Sequence, residues 1–213
     1  IKESKSLFIL NHEPSSLALL KTPGELGADI AVGELQSLGV PLSYGGAYIG
    51  YLAAKNYLIR KMPGRICGIT TDVDNKRAFV LTLQAREQHI RRTKANSNIC
   101  SNQSLMALSC AIYLSSLGKQ GFKDLAKLRL NGAHYLENEL IKTGLFKKVF
   151  DAPHYNEFTL ESMIDAKEFD TYLIERGYLG PISLNNNKFV FCVTENQSKA
   201  EIDAFVKVVG DFK

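Results

Sequence analysis

Midway along the chain, short apolar runs give way to long helical periodicities, and this change of period constrains the fold more than any other feature. Residues 7–10 (Leu-Phe-Ile-Leu), 30–32 (Ile-Ala-Val) and 48–53 (Tyr-Ile-Gly-Tyr-Leu-Ala) are short and bounded by turn residues. Such runs suit strands covered on both faces, so they predict three strands of an open α/β sheet. Between the first two, residues 14–20 predict a short helix, ended by a turn at Pro23-Gly24. Residues 41–46 form a loop ending in Gly45-Gly46. Further on, Ile99, Leu105, Met106, Leu108, Ile112, Leu114 and Leu117 recur at helical spacing, and Gly118 supplies a stop. A second amphipathic pattern runs from Phe122 through Leu125, Ala126, Ala133, Leu136 and Leu140 to Gly144. Residues 158–160 and 189–193 read as strands, while Asp165 with Glu168 and Ser198 with Glu201 have capping-box spacing ahead of helices.

With 213 residues, 45% hydrophobic and 23% charged, the chain can bury a real core as one large or two small domains. It starts at Ile1, with a strand already at residues 6–11, so we read it as a fragment lacking an N-terminal portion. The net charge of +4 is spread over both halves. Arg60, Lys61, Arg65, Lys76, Arg77, Arg86, Arg91, Arg92 and Lys94 concentrate positive charge locally, but no nucleic-acid-binding motif accompanies them. A charged subunit interface or a solvated face accounts for that stretch. Cys67, Cys100, Cys110 and Cys192 form no Cys-x-x-Cys pair and have no histidine at metal-ligand spacing, so reduced, mostly buried thiols and no metal are expected. No signal peptide and no bilayer-spanning apolar run is present, and the reading is cytoplasmic with no membrane partner.

Three blocks of sequence are more specific. Residues 61–68 read Lys-Met-Pro-Gly-Arg-Ile-Cys-Gly, residues 83–92 Leu-Gln-Ala-Arg-Glu-Gln-His-Ile-Arg-Arg, and residues 97–103 Ser-Asn-Ile-Cys-Ser-Asn-Gln. Together with the run from Ala28 through Gly45-Gly46 to Gly50, they closely resemble the P-protein family of the glycine cleavage system. The likeness is to the form that bacteria split into two subunits, and to the subunit usually numbered first. It runs from about Pro14 to Gly118 and thins toward the C-terminus, and it departs at Leu35 and Ala47, where the family has glycine and proline.

The resemblance implies a pyridoxal phosphate-dependent transferase fold of the aspartate-aminotransferase type (fold type I). On that reading residues 1–96 are the C-terminal part of a large α/β domain, 97–118 a connecting helix and 119–213 a small α+β C-terminal domain. Pyridoxal phosphate acts as an electron sink and needs a Schiff-base lysine and an acid opposite its ring nitrogen. Aligning the glycine-rich loops puts Leu35 and Gln36 where the lysine-bearing subunit has a His-Lys pair, and an amide cannot condense with an aldehyde. The strand that carries the acid ends here in Leu10 and Asn11, neither of which holds a charge. Lys21 and Lys55 are the nearest other amines, with surface positions as their ordinary role.

The cofactor is accordingly expected in the partner, P-protein subunit 2, with this chain building the far wall of its site. Ser43, Tyr44, Gly45 and Gly46 occupy the loop that reaches toward the partner's phosphate, through a hydroxyl and exposed amides; a tight turn needing glycine is the equal alternative. Arg86, Glu87, His89, Arg91 and Arg92 suit the glycine carboxylate, acidic groups of the lipoylated H-protein, or ion pairs at the partner interface. Asn98, Asn102 and Gln103 satisfy backbone groups at the long helix's start. The activity implied is that of glycine dehydrogenase (aminomethyl-transferring), in which glycine and oxidised lipoyl H-protein give aminomethyl-lipoyl H-protein and carbon dioxide. The fragment alone is expected to be inactive and to self-associate. An inert scaffold or regulatory subunit is the alternative; a self-sufficient aminotransferase or cysteine desulfurase is disfavoured by Gln36.

Overall fold

The computed structural model describes residues 4, 6–83, 88–95, 102–184 and 187–212. The chain divides into two compact units, Ile1–Ser116 and Leu117–Lys213. In the first, β1 (Ile9–Asn11) pairs in parallel with β2 (Ile30–Glu34), which pairs antiparallel with β3 (Gly50–Ala54). A parallel pair needs a crossover. Here it contains a 3-10 turn, Pro14–Ala18, in place of the expected longer helix. The Glu13 carboxylate caps it by accepting the Ser15 N–H, and Pro14 opens it where a missing N–H costs nothing.

All three expected strands form, in a mixed sheet. It is less covered than expected: on the face that Ile9 and Leu52 share, these remain 56% and 41% exposed among the described residues. Ala28, Ala31, Leu38, Val40, Ile49 and Leu58 make the buried centre of this unit.

A second sheet lies in the stretch that the sequence presents chiefly as basic. β4 (Ile66–Thr71) and β5 (Arg77–Thr82) form an antiparallel hairpin. Its turn is built by Asp72, whose carboxylate accepts the N–H groups of Asp74 and Lys76 while Asn75 takes φ 58°. Asn and Asp tolerate and stabilise such turns. One face of the hairpin is open, with the paired Ile69 and Phe79 74% and 65% exposed, while on the other face Ile66, Gly68, Ala78 and Thr82 are half-buried. Cys67 on β4 is therefore exposed, as is Cys192, while Cys110 is buried. The expectation of mostly buried thiols fails at these two cysteines, because one sits on the open face of the hairpin and the other at the end of a strand whose outer residues face away from the core.

α1 (Gln88–Arg91) precedes the long helical run α2 (Ser104–Lys142), which Gly118 interrupts at φ 60°, ψ −177°. Only glycine takes that conformation without steric cost, so the sequence's stop becomes a sharp break between two helices. The second ends at Gly144, φ 78°, whose N–H donates to the Ile141 carbonyl as an αL cap.

The second unit is a four-stranded antiparallel sheet, β6 (Lys147–Lys148), β7 (Glu157–Glu161), β9 (Lys188–Cys192) and β8 (Ile182–Leu184) in that order, with α3 (Ala166–Ile174) and α4 (Lys199–Gly210). In β7 and β9 alternate residues are buried, so Phe158, Leu160, Phe189 and Phe191 share one face. Phe158 lies opposite Phe191 in register and stacks on it at 5.5 Å. Phe146 packs edge-on against Phe189 and Phe191. Both expected caps form: Asp165 accepts the Lys167 and Glu168 N–H groups, and Ser198 with Glu201 makes a complete capping box.

Candidate functional site

Because β1 and β2 run parallel, the segments that follow them emerge at the same edge of the sheet, the carboxyl edge at which open α/β sheets bind ligands. Residues 11–13 and 34–37 meet there. The Glu13 carboxylate accepts the Ser37 hydroxyl at 2.7 Å as well as the Ser15 N–H at 3.1 Å, which ties the two segments together. His12 donates its N–H to the Val32 carbonyl at 3.2 Å. Its ring nitrogen Nδ1 is hydrogen-bonded to the hydroxyl of Tyr51, opposite Gly33 on β3, and the two rings meet edge-on at 5.5 Å. A side chain at Gly33 would lie 2.5 Å from the Tyr51 ring and 2.6 Å from the His12 carbonyl, so the contact requires glycine. Burial and the Glu13 charge push the Tyr51 hydroxyl's pKa up, keeping it a neutral donor. His12 and Tyr51 line a cleft of about 310 Å³ with Leu17, Ala31 and Asp29.

Glu34, at the end of β2, closes the neck of the loop that follows. Its carboxylate accepts the Gln36 N–H at 2.6 Å and the Ile49 N–H at 3.0 Å, and the Leu35 N–H donates to the Ile49 carbonyl at 2.8 Å. The Cys110 thiol from α2 reaches the Leu35 carbonyl at 3.7 Å. Within this neck the side-chain Nε2 of Gln36 is buried and makes no hydrogen bond among the described residues. Leu35 and Ala47 adopt no left-handed backbone.

At the loop's tip Ser43, Tyr44 and Gly45 take φ 44°, 54° and 83° in succession. Left-handed backbone costs about 1–2 kcal/mol at a residue other than glycine, and strain of this kind gathers at functional sites. Tyr44 is fully exposed and Leu42 is 76% exposed. The Gly45 N–H donates to the Leu42 carbonyl at 3.0 Å and the Gly46 N–H to the Ser43 carbonyl at 2.9 Å. Both glycine amides are thus used inside the turn. A Cβ at Gly46 would lie 2.8 Å from the Ser43 carbonyl oxygen. Ser43 and Tyr44 at this tip are exposed and each carries a hydroxyl.

Only part of the basic cluster lies among the described residues. Arg86 and Glu87, like Asn98 and Cys100, lie outside the described residues. His89 and Arg91 are exposed on α1, and Arg92, φ 53°, opens the 3-10 turn Arg92–Lys94. Among the described residues no hydrogen bond or ion pair joins His89, Arg91 or Arg92 to residues 43–46. Gln103 contributes its carbonyl to the first helical bond of α2, accepting the Ala107 N–H. Lys21 is exposed, and Lys55 pairs with Asp29 at 3.2 Å. The Phe8 N–H and then the Tyr57 hydroxyl hold the Asp29 carboxyl below its usual pKa, with Lys55 adding to the effect. The sequence reading passed over His12, Glu13, Glu34, Ser37 and Tyr51. The signal available for them was their position, directly after or opposite the ends of the first two apolar runs.

The glycine cleavage system P-protein family model matches residues 1–209. A probable glycine dehydrogenase (decarboxylating) subunit 1 from Geobacillus thermodenitrificans is 46% identical over 217 residues, 99% of this chain and 48% of that protein. The chain therefore spans about half the length of the relatives it matches. A crystal structure of glycine decarboxylase (P-protein) of the glycine cleavage system, in inhibitor-bound form, superposes with a TM-score of 0.92 at 39% identity, covering 99% of this chain and 49% of that one. The sphingosine-1-phosphate lyase of Burkholderia pseudomallei shares the fold at a TM-score of 0.65 and 16% identity, covering 99% of this chain and 46% of that one. The fold is thus the mixed α/β architecture of fold type I pyridoxal phosphate enzymes, and the chain belongs to the glycine cleavage system P-protein family.

Proposed function

We propose that this chain forms the C-terminal part of the lysine-free subunit of a two-subunit glycine-decarboxylating enzyme. The reaction converts glycine and oxidised lipoyl H-protein to aminomethyl-lipoyl H-protein and carbon dioxide. Residues 1–96 complete the large domain, 97–118 connect, and 119–213 form the small domain. The observation that carries the reading is Gln36. It stands at the carboxyl edge of β2, where the family's lysine is expected, and offers a buried amide nitrogen without a hydrogen-bond partner among the described residues. Asn11, at the end of the neighbouring parallel strand, is likewise neutral. Lys55, the nearest other candidate amine, is engaged with Asp29.

Pyridoxal phosphate supplies an electron sink where it is bound. The residues of this edge do not fit its covalent attachment, so no chemical step runs through them. The lysine-bearing second subunit holds the cofactor, and Ser43 and Tyr44 present hydroxyls to its phosphate from the strained tip. Arg86, His89, Arg91 and Arg92 serve the interface with that subunit or with H-protein. The engagement of both Gly45 and Gly46 amides favours a second reading, in which the loop only shapes the interface and the subunit is a scaffold.

The experiment is reductive trapping. The chain is mixed with pyridoxal phosphate, reduced with borohydride and mapped, alone and with a lysine-bearing companion. No stoichiometric adduct on this chain is expected in either mixture, and a pyridoxyl-lysine at one specific site here would overturn the reading. Tyr44→Ala in the two-subunit enzyme separates the alternatives: weaker cofactor binding supports phosphate contact, and unchanged affinity and turnover select the scaffold.

A further inference from the structure

The second unit carries a side-chain cluster that the P-protein reading does not use. His134 and Glu137 lie three residues apart on α2 and so share a helix face. His154 comes from the irregular connection between β6 and β7. One donor atom from each of the three lies within 4.8 Å of the other two. The Glu137 side chain is only 6% exposed and that of His154 14%. Burying a carboxylate so deeply is costly unless it is paired at close range. Yet its ion pairs are long, 3.8 Å to Lys148 Nζ and 3.9 Å to His154 Nε2. His154 Nε2, for its part, is buried and makes no hydrogen bond among the described residues.

We propose that His134, Glu137 and His154 form a binding site for a divalent transition-metal ion of the zinc or cobalt type. Two imidazole nitrogens and one carboxylate oxygen are a donor set that such ions take, with solvent as a fourth ligand. Ligands about 2.0–2.2 Å from a tetrahedral ion lie roughly 3.3–3.5 Å from one another. The 3.9 Å gap between Glu137 and His154 is within a few tenths of an ångström of that span. A direct hydrogen bond would require it to close by about 1 Å. His134 Nε2 contacts the His154 carbonyl at 3.2 Å. With its proton on Nε2, His134 donates there and keeps a lone pair on Nδ1, the outer-shell arrangement that fixes a ligating histidine's tautomer.

Two features oppose the ion and set what binding must do. The His134 and His154 rings stack at 4.2 Å, 11° from parallel, so one ring has to turn for both lone pairs to converge. The irregular backbone that carries His154 permits this. Lys148 brings a competing positive charge, but its side chain is 41% exposed and can withdraw into water.

The test uses the full chain, stripped with a chelator and titrated with cobalt(II) and zinc(II). We expect one cobalt per chain, with d–d absorption of nitrogen and oxygen coordination and no sulfur charge-transfer band. His154→Ala and Glu137→Gln should each weaken binding more than about 10-fold. Lys148→Gln should tighten it, a change that binding elsewhere on the surface would not show. Circular dichroism of each variant checks that it is folded, and His154→Ala, on an irregular segment, keeps the test valid if Glu137→Gln is not. Absence of stoichiometric binding, a thiolate band, or affinity unchanged by both His154→Ala and Lys148→Gln would overturn the proposal.

Discussion

Removing the Glu34 carboxylate should unlatch the loop that carries Ser43 and Tyr44. Glu34 accepts two N–H groups, from Gln36 at 2.6 Å and Ile49 at 3.0 Å, one on each side of the loop's neck. A hydrogen bond to a charged acceptor contributes about 1.5–3 kcal/mol net. Glu34 is solvent-exposed, which puts each bond at the lower end, about 1.5 kcal/mol. Glu34→Ala then lowers the local opening free energy by roughly 3 kcal/mol, and opening becomes about 100-fold more frequent. Glu34→Gln retains one acceptor oxygen without the charge and should fall between the two, near 10-fold. The Leu35 to Ile49 backbone bond remains in both variants, so the neck loosens without the sheet coming apart. Native-state hydrogen exchange at the Gln36 and Ile49 amides reads this directly, with the Ala31 amide on β2 as the reference. If both amides in Glu34→Ala exchange within about threefold of the unaltered protein, the carboxylate is not the latch and the reasoning fails.

Three further outcomes follow from the packing. Glu195→Ala removes the carboxylate that the 2%-exposed Arg129 meets at 2.6 Å, and should cost about 3 kcal/mol in urea unfolding. Burial raises the Glu195 pKa, but the Arg129 hydrogen bond and charge outweigh it, so the folded value lies below the unfolded one. That contribution is present above the unfolded pKa and lost as pH falls, so the difference between the two proteins should shrink below about pH 4; a gap that widens there refutes the pairing. Phe146→Ala, which empties the space between Phe169, Phe189 and Phe191, should cost about 3–5 kcal/mol by the same assay, and a loss under about 1 kcal/mol would mean that the core collapses around it. Exposed Ile9, Ile69 and Phe79 on incompletely covered sheets should drive self-association, and sedimentation showing a monomer over a wide concentration range would contradict this.

What could be read from the sequence was what is decided locally. The Ser198 and Glu201 pair needs only three-residue spacing to make its box, and Gly118 needs only its missing Cβ to break a helix, so both were visible as residues. The hairpin was obscured because Arg65, Lys76 and Arg77 drew the stretch toward a charge reading. Its own signal was the β-branched run Ile69-Thr70-Thr71 followed by Asp72, a turn former. The carboxyl-edge network lay further out of reach. Glu13 and Ser37 are 24 residues apart and meet only because β1 and β2 pair in parallel, a choice made by the sheet and not by either segment.

The glycine pair teaches the subtler point. Its place in a loop followed from the residues and its role from the family resemblance, but whether its amides face a ligand depends on backbone angles at Ser43 and Tyr44 that neither residue type favours. A chain that places two successive non-glycine residues in left-handed backbone and spends both glycine amides internally fixes the shape of its tip. Tyr44 is then held out by the turn itself, with Glu34 holding the base of the same loop. Displaying a side chain in this way and donating amides to a phosphate are competing uses of one four-residue turn. The two backbone bonds commit the Gly45 and Gly46 amides to the first.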